Sequence, residues 1–156
     1  MRKGQITGNV FTYIFAIIII ALILLLGYKY IFETKENIQE TELILFKNKL
    51  TSDIEAISSD FGSSKTVSYS LQAELCLFDL ENKEDIIFPD DFNPLIKDSI
   101  NSNIKKNAFV FSNSIFQSYY IGDIEIEEQN FKCFKPSAGK ITFTIEGTGN
   151  KALINS

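Results

Sequence analysis

The side chains that could carry out chemistry in this chain are few, and one common type is missing. None of the 156 residues is a histidine. Without an imidazole, the chain cannot form a Ser-His-Asp or Cys-His nucleophilic site, or a metal site with histidine ligands. We therefore expect a protein that is not an enzyme, with no catalytic residue, no metal site and no cofactor.

Acidic residues form the one cluster that could act as a paired-carboxylate site. Two carboxyl groups can serve as acid and base in glycoside hydrolysis, and carboxylate oxygens bind calcium. The spacing fits no calcium-binding loop, however, and runs of charge usually lie on solvated surfaces. The sequence therefore favours exposed loop acids at Glu81, Glu84, Asp85, Asp90 and Asp91.

The charge balance argues against nucleic acid as a partner. The chain carries 15 lysine and arginine residues against 20 aspartate and glutamate residues, which gives a net charge of −5. Phosphate binding requires cations clustered on one surface. The only arginine, Arg2, stands at the N-terminus, before the apolar segment described below. We expect no nucleic-acid partner.

Cys76 and Cys133 are the two cysteines of the chain, and they could form a disulfide. Cysteine pairs outside the cytoplasm are commonly bridged, whereas free cysteines are commonly buried as small apolar residues. In the strand patterns described below, Cys76 shares a face with Glu74, which indicates an outer face, whereas Cys133 follows Phe131 on an inner one. Phe78 also lies on the face of Cys76 and indicates that another element covers it. The sequence leaves both states open and favours the disulfide.

An uncharged segment near the N-terminus is long enough to cross a membrane. No charged residue stands between Gly4 and Tyr28. About 20 apolar residues span the hydrocarbon core of a bilayer, and a soluble helix of that length would show a polar face. Arg2 and Lys3 precede the segment, and such residues are retained on the cytoplasmic side. We predict a single-pass protein of the cell membrane, in contact with lipid, with a cytoplasmic N-terminus and an extracytoplasmic C-terminal domain.

Changes in pattern along the chain predict four segments. Residues 1–9 form a cytoplasmic N-terminus or signal-like segment, and residues 10–32 form a transmembrane helix. Residues 33–62 continue this helix in amphipathic form, and residues 63–156 form an extracytoplasmic β-rich head. The apolar face of the third segment recurs at steps of three and four residues, and it consists of Leu43, Phe46, Leu50, Ile54, Ile57 and Phe61.

Apolar residues of the head alternate with the period of a β-strand. The first run, residues 67–77, predicts one long half-buried strand or two shorter ones. Further strands are expected at residues 108–111, 116–126, 131–134 and 141–145.

A short helix interrupts these strands, with Asn93 as its N-cap and Pro94 in its first turn. Its inward-facing residues are expected to be Leu95, Ile96, Ile100 and Ile104. Together the patterns predict an α+β fold, in which a long N-terminal helix, transmembrane and then amphipathic, packs on a small antiparallel β-sheet head domain with one short extra helix.

The residues before the apolar segment, Arg2-Lys3-Gly4-Gln5-Ile6-Thr7, form the most specific motif in the chain. They resemble the class III signal peptide of archaeal type IV pilin-like proteins, in which a basic and a small residue precede the cleavage point. On this pattern Gly4 is the last residue removed, Gln5 begins the mature chain, and Thr7 stands where serine is usual. The resemblance implies a membrane protein with a long helix, apolar and then amphipathic, followed by a β-rich head.

One position departs from the family pattern. Pilin-like proteins generally carry glutamate at the fifth mature position, where this chain has Asn9. In the family this acid is thought to pair with the N-terminal amine of a neighbouring subunit, and asparagine keeps a hydrogen-bonding carbonyl but loses the charge. The resemblance implies a minor pilin or pseudopilin that contacts other pilin-like subunits through its N-terminal helix. The alternative is an uncleaved single-pass membrane anchor that displays a small extracytoplasmic binding or assembly domain.

Overall fold

The computed structural model describes residues 5–102, 104–112, 115–127 and 129–155, without the side chains of residues 5–9 and 31–40. The fold is α+β, which confirms the fold class predicted from the sequence. The chain forms two compact units, Met1–Thr41 and Glu42–Ser156. The described residues of the first unit are helical, and the second unit contains the strands of the described chain.

Two α-helices and eight strands follow one another along the described residues. Helix α1 spans Gln5–Ser58, helix α2 spans Pro94–Asn101, and a short 3-10 helix lies at Lys83–Asp85. The strands are β1 (Ser64–Ser70), β2 (Glu74–Phe78), β3 (Ala108–Phe111), β4 (Phe116–Tyr119), β5 (Ile124–Ile126), β6 (Phe131–Phe134), β7 (Lys140–Gly147) and β8 (Ala152–Asn155).

The strands form two four-stranded sheets. Sheet A has the order β1-β7-β8-β5, and sheet B has the order β4-β3-β2-β6. The pairs are antiparallel, except that β5 runs parallel to β8. The alternation over residues 67–77 therefore corresponds to two strands, β1 and β2, which belong to different sheets. Leu71 and Ala73 stay buried in the link between them.

The larger of two apolar cores lies between α1 and the two sheets. The predicted helical face is buried from Leu43 to Ile57, where the residues at steps of three and four are at most 8% exposed. Alternate residues of both sheets complete this core, among them Val67, Leu75, Val110, Phe143, Ile145 and Ile154. The helical periodicity thus identified the side of α1 that packs on the head.

The C-terminal end of α1 differs from the prediction. The helix ends at Ser58, and Phe61, which was expected on its buried face, is 83% exposed. The reason is that Gly62 already bonds to β7, since its amide donates to the carbonyl of Gly147 at 2.8 Å. A Cβ atom on Gly147 would lie 2.1 Å from the carbonyl oxygen of Ile57, so glycine is required where the helix end meets the strand.

A second core lies on the other face of sheet B, under α2. It contains Cys76, Phe78, Ile86, Ile96, Ile100 and Phe109. The Asn93 side chain caps α2 as predicted, because its oxygen accepts a hydrogen bond from the amide of Leu95 at 3.0 Å. Leu95 and Ile104 were wrongly expected to face inward. They are 57% and 48% exposed, since α2 turns one narrow face to the sheet and Ile104 follows its end.

Two further strands depart from the sequence prediction. The run at residues 116–126 divides at Gly122, whose φ is 105°, so that β4 joins sheet B and β5 joins sheet A. Strand β8 was not predicted from the sequence. Strand β8 pairs with β5, which is distant in sequence, and with β7, from which a turn separates it. Its place is therefore defined by tertiary pairing.

Candidate functional site

The first unit offers an apolar helical surface. Val10–Tyr30, a stretch of 21 residues of α1, has a mean hydropathy of 3.0 and is long and apolar enough to cross a membrane. Each of its described side chains is exposed within the chain. Tyr13 lies near its start and Tyr28 near its end, where amphipathic rings prefer the level of the lipid headgroups. Within the described residues, no other part of the chain covers this surface.

The predicted cleavage junction lies at the start of α1. The helix begins at Gln5, and Asn9 belongs to its second turn. Gly4 lies outside the described residues, and the side chains of Gln5 and Asn9 do too. The assignments of Gly4 and Gln5 to a cleavage junction and of Asn9 to an assembly position therefore stay predictions.

Cys76 and Cys133 are joined by a disulfide in the structure. They stand directly opposite each other on the neighbouring strands β2 and β6, with their Cα atoms 4.0 Å apart. Cys76 is fully buried, so the outer face inferred from Glu74 is wrong. The side chain of Phe78, on the same face, packs with Phe131 at 5.6 Å between ring centroids. Strand β2 is thus covered on both faces, which explains why its exposed and buried positions do not alternate.

A polar contact between α1 and β1 was not predicted. One carboxylate oxygen of Asp53 accepts a hydrogen bond from the Lys65 ammonium at 2.7 Å, and the other accepts one from the Tyr69 hydroxyl at 2.9 Å. The clue in the sequence is a tyrosine at a buried strand position, because a buried phenol needs a hydrogen-bond partner. The Lys49 ammonium lies 5.6 Å from the Tyr69 ring centroid and adds a cation to this group.

This contact shifts the acidities of two groups. Burial opposes ionisation of Asp53, but the hydrogen bonds from Lys65 and Tyr69 outweigh it and hold the pKa of the carboxyl below its ordinary value. Burial, together with the hydrogen bond to Asp53, raises the pKa of the Tyr69 hydroxyl above its ordinary value. Asp53 is therefore a charged, structural residue near neutral pH, and Tyr69 stays a neutral donor.

The acidic candidates do not assemble into a site. All five are exposed, and the Glu81 carboxylate is paired with the Lys151 ammonium. Among the described residues, no group of three or more potential ligands could hold a metal ion. The structure therefore places these acids as surface charges, at Glu81, Glu84, Asp85, Asp90 and Asp91.

Two buried polar residues of the head have structural partners. The Asp79 carboxylate accepts hydrogen bonds from the amide of Glu81 and the side chain of Asn82, at 2.9 and 2.8 Å. Asn107 donates through its side-chain nitrogen to the carbonyl of Gly122 at 2.7 Å. Both side chains hold loops at the ends of strands.

No family model, curated protein or solved structure matches this chain. Its chemistry is that of an apolar helical surface followed by a disulfide-bonded head.

Proposed function

We propose that this chain is a non-enzymatic, type IV pilin-like membrane protein, a minor pilin or pseudopilin subunit of a surface filament or secretion apparatus. The observation that carries the proposal is the apolar surface of Val10–Tyr30, which is long enough for a bilayer and has no buried residue within the chain. The same helix, α1, later buries one face against the sheets. A helix that is apolar and then amphipathic, followed by a β-rich head, is what the resemblance of the N-terminal motif implies.

Two environments suit the apolar surface of α1. In a bilayer, the acyl chains cover it, at a gain of about 25 cal/mol for each Å² removed from water. In a filament, equivalent helices of neighbouring subunits pack against it through van der Waals contacts. A subunit that moves from the membrane into a filament exchanges one apolar environment for the other, so the same side chains serve both states. The partners are therefore membrane lipid and other pilin-like subunits.

The motif before the helix supports processing. Arg2 and Lys3 hold the N-terminus in the cytoplasm until cleavage after Gly4 removes them. The mature helix then begins at Gln5, and the two cationic side chains that would resist its withdrawal from the bilayer are gone. The chain is accordingly a single-pass membrane protein with a cytoplasmic N-terminus and an extracytoplasmic head.

Asn9 favours a minor subunit, and it also favours the second candidate function. Without a carboxylate at this position, the helix cannot form an ion pair with a neighbour's N-terminal amine, although its amide can still accept a hydrogen bond. Such a subunit suits a filament's minor positions. The second candidate is an uncleaved anchor that displays the head as a binding or assembly domain and forms no filament.

The N-terminal residue of the native protein tests the proposal. Intact-mass analysis of the protein recovered from its own membrane should give a chain that begins at Gln5, allowing for cyclisation of that residue. Gly4→Val should abolish cleavage, whereas the matched control Gly8→Val, within the helix, should leave it unchanged. A native chain that still begins at Met1 would contradict the pilin-like function and leave the uncleaved anchor.

A further inference from the structure

Strand β1 forms an open edge of sheet A. It pairs with β7 on one side only, over the seven residues from Ser64 to Ser70. The ladder extends past both ends of the strand, since the amide of Gly147 donates to the carbonyl of Ser63 and the amide of Leu71 donates to that of Gly139. The edge is therefore at least seven residues long and is held by β7 on its inner side.

The register decides which backbone groups point outward. Ser63 and Leu71 bond to β7, so the odd-numbered residues between them do as well, because hydrogen-bonded positions alternate along an antiparallel ladder. The amides and carbonyls of the even-numbered residues consequently face away from β7. These even-numbered residues are all exposed, and they are Ser64, Thr66, Ser68 and Ser70. Within the described chain, no strand pairs with their outward backbone groups.

A groove of about 220 Å³ lies beside this edge, between β1 and α1. Its apolar wall comes from Leu45, which is 64% exposed, with Phe46 and the Tyr69 ring. Tyr69 belongs to the face of β1 that turns toward α1. A strand added to β1 would place every second side chain on that face, so a residue opposite Tyr69 would enter the groove.

The charged residues beside the edge of β1 balance one another, so the edge favours neither a positive nor a negative partner. Lys65 is the only charged residue of β1, and its ammonium is paired with Asp53. Glu42 and Lys49, of opposite sign, line the groove. A charged side chain of either sign placed there would meet a like charge as well as an opposite one, and it would lose hydration against the apolar wall. The occupant that matches the edge is therefore uncharged on its inward face.

We propose that β1 is a strand-addition site for an extended segment of another protein, with uncharged apolar side chains at alternate positions and small polar ones between them. Backbone hydrogen bonds to the edge would supply affinity, and the groove would supply selectivity. A second copy of β1 fits less well, because Lys65 is among its inward-facing residues. The proposal does not depend on cleavage at Gly4 or on filament formation.

The test uses the full chain in detergent micelles and a fluorescein-labelled peptide in which leucine and threonine alternate. Ser68→Pro removes one outward amide without removing a ladder bond, since proline is tolerated on edge strands. Ser68→Ala is the matched control, because it loses the same hydroxyl but keeps the amide. We expect saturable binding to the wild type and to Ser68→Ala, and binding weakened about tenfold in Ser68→Pro, as measured by fluorescence anisotropy.

The groove is tested separately with Leu45→Asp, which alters an exposed side chain. This variant should bind the leucine-containing peptide more weakly than the wild type does, and it should bind a peptide made of threonine alone equally well. Hydrogen exchange on the wild type supplies a readout that does not depend on any variant's folding. The amides of Thr66 and Ser68 should become protected when the alternating peptide is added.

Four results would overturn the proposal. They are absence of saturable binding to the wild type, equal binding by folded Ser68→Pro and Ser68→Ala, unchanged exchange at Thr66 and Ser68, and a wild-type dimer that Ser68→Pro dissociates. The last result, detected by analytical ultracentrifugation without peptide, would assign the edge to a second copy of this chain.

Discussion

Asp53 joins α1 to β1 through two hydrogen bonds, and its side chain is only 14% exposed. Asp53→Asn should lower the free energy of unfolding by about 1 kcal/mol near neutral pH, because a charge-assisted contact becomes a neutral one. The folded pKa of Asp53 lies below its unfolded value. Its stabilisation is therefore complete above the unfolded pKa, close to 3.8, and is lost as the pH falls through the folded pKa.

Urea denaturation of the two proteins at neutral and at acidic pH measures this effect. The difference between wild type and Asp53→Asn should shrink on acidification below the unfolded pKa. Asp98→Asn, an exposed residue of α2, serves as the control and should match the wild type at neutral pH. A difference for Asp53→Asn that stays constant with pH would contradict the assigned role of the carboxylate.

The disulfide between Cys76 and Cys133 also makes a measurable contribution to the stability of the head. It closes a loop of 57 positions, for which the chain-entropy relation gives about 4 kcal/mol. Replacing both cysteines by alanine should lower the free energy of unfolding by roughly 2 to 4 kcal/mol. A thiol reductant should lower the melting temperature of the wild type but not that of the double variant. If alkylation labels both cysteines without prior reduction, no bridge exists.

At the scale of single elements, the amphipathic half of α1 was predictable because its period is local. Phe46 and Leu45 are neighbours on this helix, but Phe46 is 4% exposed whereas Leu45 is 64% exposed. Phe46→Asp should destabilise the head by about 3 kcal/mol, since it places an unpaired charge between the helix and the sheets. Leu45→Asp should leave the free energy of unfolding nearly unchanged.

Denaturant titration followed by circular dichroism distinguishes these two variants. The helix continues into an apolar segment that stays in detergent, so the near-ultraviolet signal of the tyrosines in the head is the preferred probe. Equal losses in Phe46→Asp and Leu45→Asp would mean that the buried face of α1 is assigned wrongly.

The apolar pattern of the head indicated where strands lie but not how they pair. The alternation from Val67 to Leu77 identified strands, but it could not show that β1 and β2 belong to different sheets, because pairing is not local. In β2, consecutive residues enter different cores, so the polar residue Glu74 gave a misleading face for Cys76. The same absence of tertiary information led to the wrong inward assignment of Leu95.

At the scale of the whole molecule, the long apolar segment is readable from sequence because membranes impose one length and one composition. The N-terminal motif likewise appears directly in the chain. The contact of Asp53 with Tyr69 and the open edge of β1 could not be predicted, since both depend on how α1 and sheet A pack. The apolar helix was therefore predictable from the sequence, whereas the surface features of the head required the structure.

The orientation of the head is the prediction that belongs to the entire protein. Arg2 and Lys3 stand before the apolar segment, and if it crosses a membrane such residues are retained in the cytoplasm, so we predict that the head faces outward. Ile87, which is 87% exposed between the 3-10 helix and α2, is a suitable position for a reporter. Ile87→Cys should react with a membrane-impermeant maleimide on intact cells, whereas the wild type, with its two cysteines bridged, should not. Labelling of Ile87→Cys only after lysis would place the head in the cytoplasm and reverse the orientation.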